Sequence, residues 1–160
     1  MLIISDIVAD SVESDSDIKK IADAVIDHMS KIKVPHVDYG VVNRYVWDVL
    51  KGTHGTDSAV VCYLEDNDKK VGIAGVVFFS VGTEWYSKDP MLYDRMIIGI
   101  DMVGFGRIAV KVLNKLMTLG HCVYLFDGAC LAENPVMIKH GLKKYFNAKE
   151  LPTYVIERDE

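Results

Sequence analysis

The sequence predicts an α/β (α+β) fold: a mixed, mainly antiparallel central sheet with helices on both faces. Three observations lead there. Apolar spacing switches along the chain between helical and strand-like periods, in the order β-αα-βββ-α-β-α-β. The 160 residues are 50% hydrophobic and 26% charged, a balance that excludes intrinsic disorder. That length suits one domain, 1–160, burying roughly 70% of the surface its unfolded chain would expose. No repeat, low-complexity tract or Pro/Gly/Ser linker divides it.

The elements follow in order. Met1 to Val8 is mostly apolar and suits a short strand, and Asp10 to Asp17 reads as a solvated acidic loop supplying a helix N-cap. From Asp17, residues Ile18, Ile21, Ala22, Val25, Ile26 and Met29 share one helical face, with acids early where the helix dipole favours them. Pro35 separates this helix from a second, in which Val42, Tyr45, Val46, Val49 and Leu50 line up before Gly52 stops it. Ser58 to Leu64 and Val71 to Val81 read as strands joined by the polar turn Glu65 to Lys69, a hairpin. Glu84 to Pro90 is expected as a short extended segment. Leu92 to Ile100 is the next strand. Gly106 to Leu119 forms a helix with Ile108, Val112, Leu113, Leu116 and Leu119 inward, capped by Gly120. Cys122 to Phe126 reads as a buried strand. Asn134 and Pro135 open the last helix as N-cap and first residue, and Pro152 to Glu157 closes the chain as a strand.

Composition narrows the function. The longest uncharged stretch, Val71 to Thr83, holds three glycines and falls short of the roughly 20 residues of a membrane span. Met1-Leu-Ile-Ile-Ser-Asp meets an acid before an apolar h-region forms, so no secretory leader is expected. Cys62, Cys122 and Cys130 make an odd set without a CxxC pair, which argues against a disulfide framework or zinc knuckle and for a reducing cytoplasmic setting. A net charge of −5 argues against nucleic acid as the main partner. The five histidines, at 28, 36, 54, 121 and 140, show no metal-ligand spacing, and no Gly-x-Ser-x-Gly elbow is present. The acidic segment Asp6 to Asp23 reads as a solvated helix face or a dock for a basic partner.

Three stretches carry the chemistry. Asp101-Met-Val-Gly104-Phe105-Gly106-Arg107 lies between a strand and a helix. There two glycines allow close backbone approach, and helix N–H groups favour an anion. Asn134 to Phe146 holds Asn134, Lys143 and Phe146 at fixed spacings, and Trp85-Tyr-Ser-Lys-Asp-Pro-Met-Leu precedes the central strand. With the element order, these stretches resemble the GNAT family of acyl-CoA-dependent N-acetyltransferases, most strongly from Val71 to Glu157. The third stretch is similar to a run in GNAT-like proteins of bacteriophages.

The resemblance implies acetyl-CoA as cosubstrate. Its pyrophosphate would lie on Val103, Gly104, Phe105, Gly106 and Arg107, and its body between the strand ending at Ile100 and the strand Cys122–Phe126. Asn134 would assist, and an oxyanion donor would come from Ile98, Gly99 or Ile100, with Gly99 easing a bulge. Glu84 and Asp94 are the candidate bases for deprotonating the amine. Both also read as exposed carboxylates at a strand end. Three departures stand out: Asp101 sits where the family has a cationic or amide side chain, Gly141 where it often has an acid tyrosine, and no cationic residue lies between Asp101 and Gly106. His140 and Tyr145 are the nearby acid candidates, although a surface histidine and a packing tyrosine are the plainer readings. Likewise, Gly104-Phe-Gly106 alone reads as a tight turn, and Trp85 and Tyr86 as the edge of a core. The expected partners are a CoA thioester and a small-molecule or protein amine, the amine held against the first two helices and Glu84-Trp85-Tyr86. The alternative is a non-catalytic GNAT-shaped interaction or virion module, phage-encoded, with a protein partner.

Overall fold

A computed structural model describes residues 3–8, 12, 14–32, 34, 36–122, 124–126, 131–132 and 135–146. Strand β1 (Ile3–Val8) runs antiparallel to β2 (Asp57–Asp66), β2 to β3 (Lys69–Gly82), and β3 to β4 (Met91–Gly99). The short strands β5 (Tyr124–Phe126) and β6 (Leu131–Ala132) both join β4 in parallel. The described residues thus form a six-stranded sheet ordered β1-β2-β3-β4-β5, with β6 also on β4.

Side-chain alternation along the strands divides the interior into two layers. Ala59, Val61, Tyr63, Val76, Phe78, Met96 and Ile98 meet helices α1 (Asp15–Lys31) and α2 (Tyr39–Leu50) on one face. Val60, Cys62, Val77, Phe79, Leu92 and Ile97 meet α3 (Gly106–Leu119) and α4 (Pro135–Phe146) on the other. Ser14 caps α1 by accepting the Asp17 N–H, and Asp38 caps α2 by accepting those of Gly40 and Val41, each satisfying a donor the helix leaves open. Gly52, at φ +75°, lets the chain leave α2 in the left-handed region.

Several expectations shift. The hairpin turn tightens to Asn67-Asp68, both at positive φ. Residues 84–90 form turns rather than an extended segment, with Ser87 N–H on Glu84 O. Leu119, expected inward, is 61% exposed at the last position of α3, while Ala109 and Val110, not expected there, belong to its buried face. Trp85 is 92% exposed and Tyr86 also exposed, so neither fills a core edge. Strand β6, only two residues long, had no counterpart in the expected order. Pro35, Cys130, Asn134 and the strand expected at Pro152 to Glu157 lie outside the described residues. Among the described residues no helix is long and apolar enough to cross a membrane.

Candidate functional site

At the end of β4 the chain turns through Val103 to Phe105 into α3. Gly104 takes φ +80° in open space, a conformation cheap only for glycine. Val103 and Arg107 are exposed, and no side chain caps the helix. Among the described residues the N–H groups of Phe105 and Gly106 meet no acceptor, which leaves a dipole-assisted donor cluster facing solvent. Phe105 itself points inward. It is buried with the α3 layer, and its ring lies where a Cβ on Gly75 of β3 would stand, 2.6 Å away.

Asp101 does not oppose this turn as its sequence position suggested. Its Oδ2 accepts the Ile73 N–H at 2.8 Å and lies 2.5 Å from Lys20 Nζ on α1. Lys20, and secondarily the Ile73 amide, hold the carboxyl below the usual range for aspartate. Its charge is therefore matched on the α1 side.

Beside the end of β4 lies a cleft of about 390 Å³. It is lined by Ile98, Gly99 and Ile100 together with Asp27, His28 and Lys31 of α1. Ile100 N–H bonds Ala74 O at 2.9 Å, so by strand alternation the Gly99 N–H faces away from β3. The bulge expected at Gly99 lies elsewhere. Gly99 pairs squarely with Gly75, and the extra residue is Arg95, between the pairs Phe79↔Asp94 and Phe78↔Met96. The seam expected between β4 and the following strand is also narrower than its sequence suggested. Pairing closes it at Met91–Tyr93 and at Met96–Ile97, so Ile98–Ile100 is the stretch beyond the last described pair. The α1 residues were not singled out from the sequence. The available signal was His28, which continues the buried stripe Ile21, Val25.

The bulge sorts the other candidates. Asp94 is 1% exposed and, opposite Phe79, sits on the α3 face. Tyr93 and Arg95 project to the α2 face. The Tyr93 hydroxyl donates to Glu84 Oε1 at 2.6 Å, and that bond, with burial, pushes its pKa up to about 12. Glu84 and Asp94 therefore lie on opposite faces of β4. Arg95 Nε lies 3.4 Å from Asp57 Oδ2, which also accepts the Tyr45 hydroxyl at 2.8 Å. Burial first, then the bond to Asp57, pushes the Tyr45 phenol far up. His140 is exposed on α4, and the Tyr145 side chain and Asn134 lie outside the described residues. Gly141 faces α3: a Cβ there would stand 2.7 Å from Val110 Cγ2. The glycine permits close helix packing at the position where the resemblance expects an acid tyrosine.

No family model and no curated protein sequence matches the chain. Solved structures do. One is a ribosomal-protein-alanine N-acetyltransferase from Brucella melitensis biovar Abortus 2308, with TM-score 0.56, 16% identity, and 99% of this chain and 100% of that one covered. Another is a predicted acetyltransferase with acetyl-CoA from Clostridium acetobutylicum, at 0.57, 13%, and 99% and 96%. A third is an aminoglycoside acetyltransferase from an uncultured soil metagenomic sample in complex with sisomicin, at 0.54, 14%, and 99% and 97%. With two helices on one face of a mainly antiparallel sheet, two on the other, and a glycine turn after β4, the chain has the fold of the GNAT acetyltransferases.

Proposed function

We propose that this protein is an acetyl-CoA-dependent N-acetyltransferase that moves the acyl group directly to an amine. The observation that carries the reading is the uncapped, solvent-facing turn Val103–Arg107 at the end of β4. Its amides, Gly104 and the Arg107 cation suit a pyrophosphate, and Asp101 is neutralised by Lys20 rather than opposing it. Ile98, Gly99 and Ile100 would carry the pantetheine arm in the cleft against α1, with the Gly99 N–H as the donor on the open side. When bound, acetyl-CoA supplies an acyl group activated as a thioester.

The chain's own residues then handle orientation and protons. Glu84, oriented by the Tyr93 hydroxyl, is the base that receives the ammonium proton through a relay of water, because Tyr93 and Gly99 stand near opposite ends of β4, roughly 20 Å apart. Asp94, on the far face, is the second carboxylate candidate. Protonation of the departing thiolate falls to His140 or Tyr145, because Gly141 has no acid to give and no room for one. The exposed Trp85–Tyr86 pair, edge to face at 5.5 Å, borders Glu84 and suits an ammonium.

Calorimetric titration with acetyl-CoA, using CoA and ADP as controls, tests the reading. Micromolar binding that requires the pantetheine arm is expected, followed by acetylation in an amine screen. No binding at millimolar ligand overturns it and leaves the fold as an interaction module, to be pursued by partner capture.

A further inference from the structure

The bulge in β4 gives Arg95 a setting that its ion pair does not account for. The contact with Asp57 is made side-on through Nε at 3.4 Å. Asp57, whose side chain is 7% exposed, is already met by the Tyr45 hydroxyl at 2.8 Å and the Thr56 hydroxyl at 3.2 Å. The Arg95 side chain is 44% exposed. Among the described residues its two Nη groups meet no acceptor, so the planar fork that binds oxyanions in pairs is presented to solvent.

A carboxylate is anchored to the same aromatic ring. Glu84 Oε1 holds the Tyr93 hydroxyl at 2.6 Å, and the Arg95 guanidinium lies over the Tyr93 ring, 6.0 Å from its centroid. Glu84 and Arg95 do not pair with each other; one is fixed by Tyr93, the other by Asp57. Opposite charges held apart on one ring, beside an exposed aromatic pair, complement a small molecule carrying opposite charges of its own.

We infer that the acceptor is an amine that also bears an oxyanion, with its ammonium on Glu84 and its oxyanion on the Arg95 fork. A free amino acid and an aminoalkyl or amino-sugar phosphate share this chemistry. The inference rests on the acetyltransferase reading for what happens to the amine, but not for its binding.

The test is direct binding by ligand-observed NMR and calorimetry on the full chain, with and without acetyl-CoA. Matched pairs serve as probes: glycine against glycinamide, and phosphoethanolamine against ethanolamine. The anionic member of at least one pair is expected to bind about tenfold more tightly, the scale of one charge-assisted bidentate contact, and the pair that responds tells carboxylate from phosphate. Arg95→Gln should bring the members of that pair within about twofold of each other, and Arg95→Lys should restore part of the gap. Glu84→Gln should weaken both members together. Equal affinity within both pairs, preference for the anion-free members, or no binding by any probe at millimolar concentration overturns the inference. The comparison on the unaltered chain needs no variant to fold. A preference for the anionic member without acetyl-CoA binding would sink the acetyltransferase reading and leave this one standing.

Discussion

Lys20 and Asp101 meet at 2.5 Å across 81 positions of sequence, and the same carboxylate oxygen accepts the amide of Ile73. The contact ties α1 to the segment leaving β4, beside the cleft. It also accounts for Gly72, where a Cβ would stand 2.9 Å from that oxygen.

Replacing Asp101 by Ala should cost about 1–2 kcal/mol in chemical denaturation, mostly from the unmatched Ile73 N–H, since solvent screens the ion pair. The carboxyl titrates below its ordinary 3.8 in the folded chain. Its stabilisation is therefore complete above that value and lost as pH falls through the lower folded-state one. The stability gap to Asp101→Asn should stay constant near neutrality and shrink below about pH 4.

The Tyr93–Glu84 bond predicts the opposite sign. A phenol raised to about 12 favours the fold while protonated, so its contribution is full below the ordinary value of 10.0 and lost as pH rises through the higher one. Difference ultraviolet titration against Tyr93→Phe should show this phenol ionising near 12 in the parent chain and nearer 10 in Glu84→Gln.

Gly141→Ala should destabilise despite alanine's better helix propensity, because the new methyl meets the buried, β-branched Val110. Thermal melts in a double-mutant cycle with Val110→Ala should show the second change recovering part of the loss, a coupling of about 1 kcal/mol. Gly141→Tyr should not yield a folded chain under the same conditions.

Gly104→Ala separates binding from packing. A methyl there meets open space but must hold φ +80°, a strain of about 1–2 kcal/mol. If the turn binds pyrophosphate, acetyl-CoA affinity should fall about tenfold as the turn relaxes. The expected check is calorimetry on a variant whose melting curve remains cooperative.

How much of this was legible beforehand depended on how local the cause was. Helix α3 was readable from Gly106 to Leu119 because a 3.6-residue stripe and a terminal glycine are local signals. The hairpin was readable because Asn67 and Asp68 are suited to positive φ. What needed the partner strand was not. The bulge at Arg95 is set by how β4 registers against Phe78 and Phe79, and glycine at position 99 was the wrong cue. Tyr45, Asp57 and Arg95 lie far apart in sequence and meet only through the sheet. Strand β6 is too short to show a period, and Trp85 looks like a core residue until the turn turns it outward.

Phe105 also constrains how the site can move. Because its ring is wedged against Gly75 within the α3 layer, the donor turn cannot lift away without opening the interior. Surface loops ordinarily breathe independently of the body they decorate, and their amides exchange with solvent through small local openings. Here the amides of Ile108 and Ala109, both donating to Phe105 O at 2.9 Å, should exchange only when the whole α3 layer opens. Deuterium uptake at these two amides should then follow that of β3 rather than that of the exposed Trp85–Tyr86 segment, while the unbonded Phe105 and Gly106 amides exchange freely.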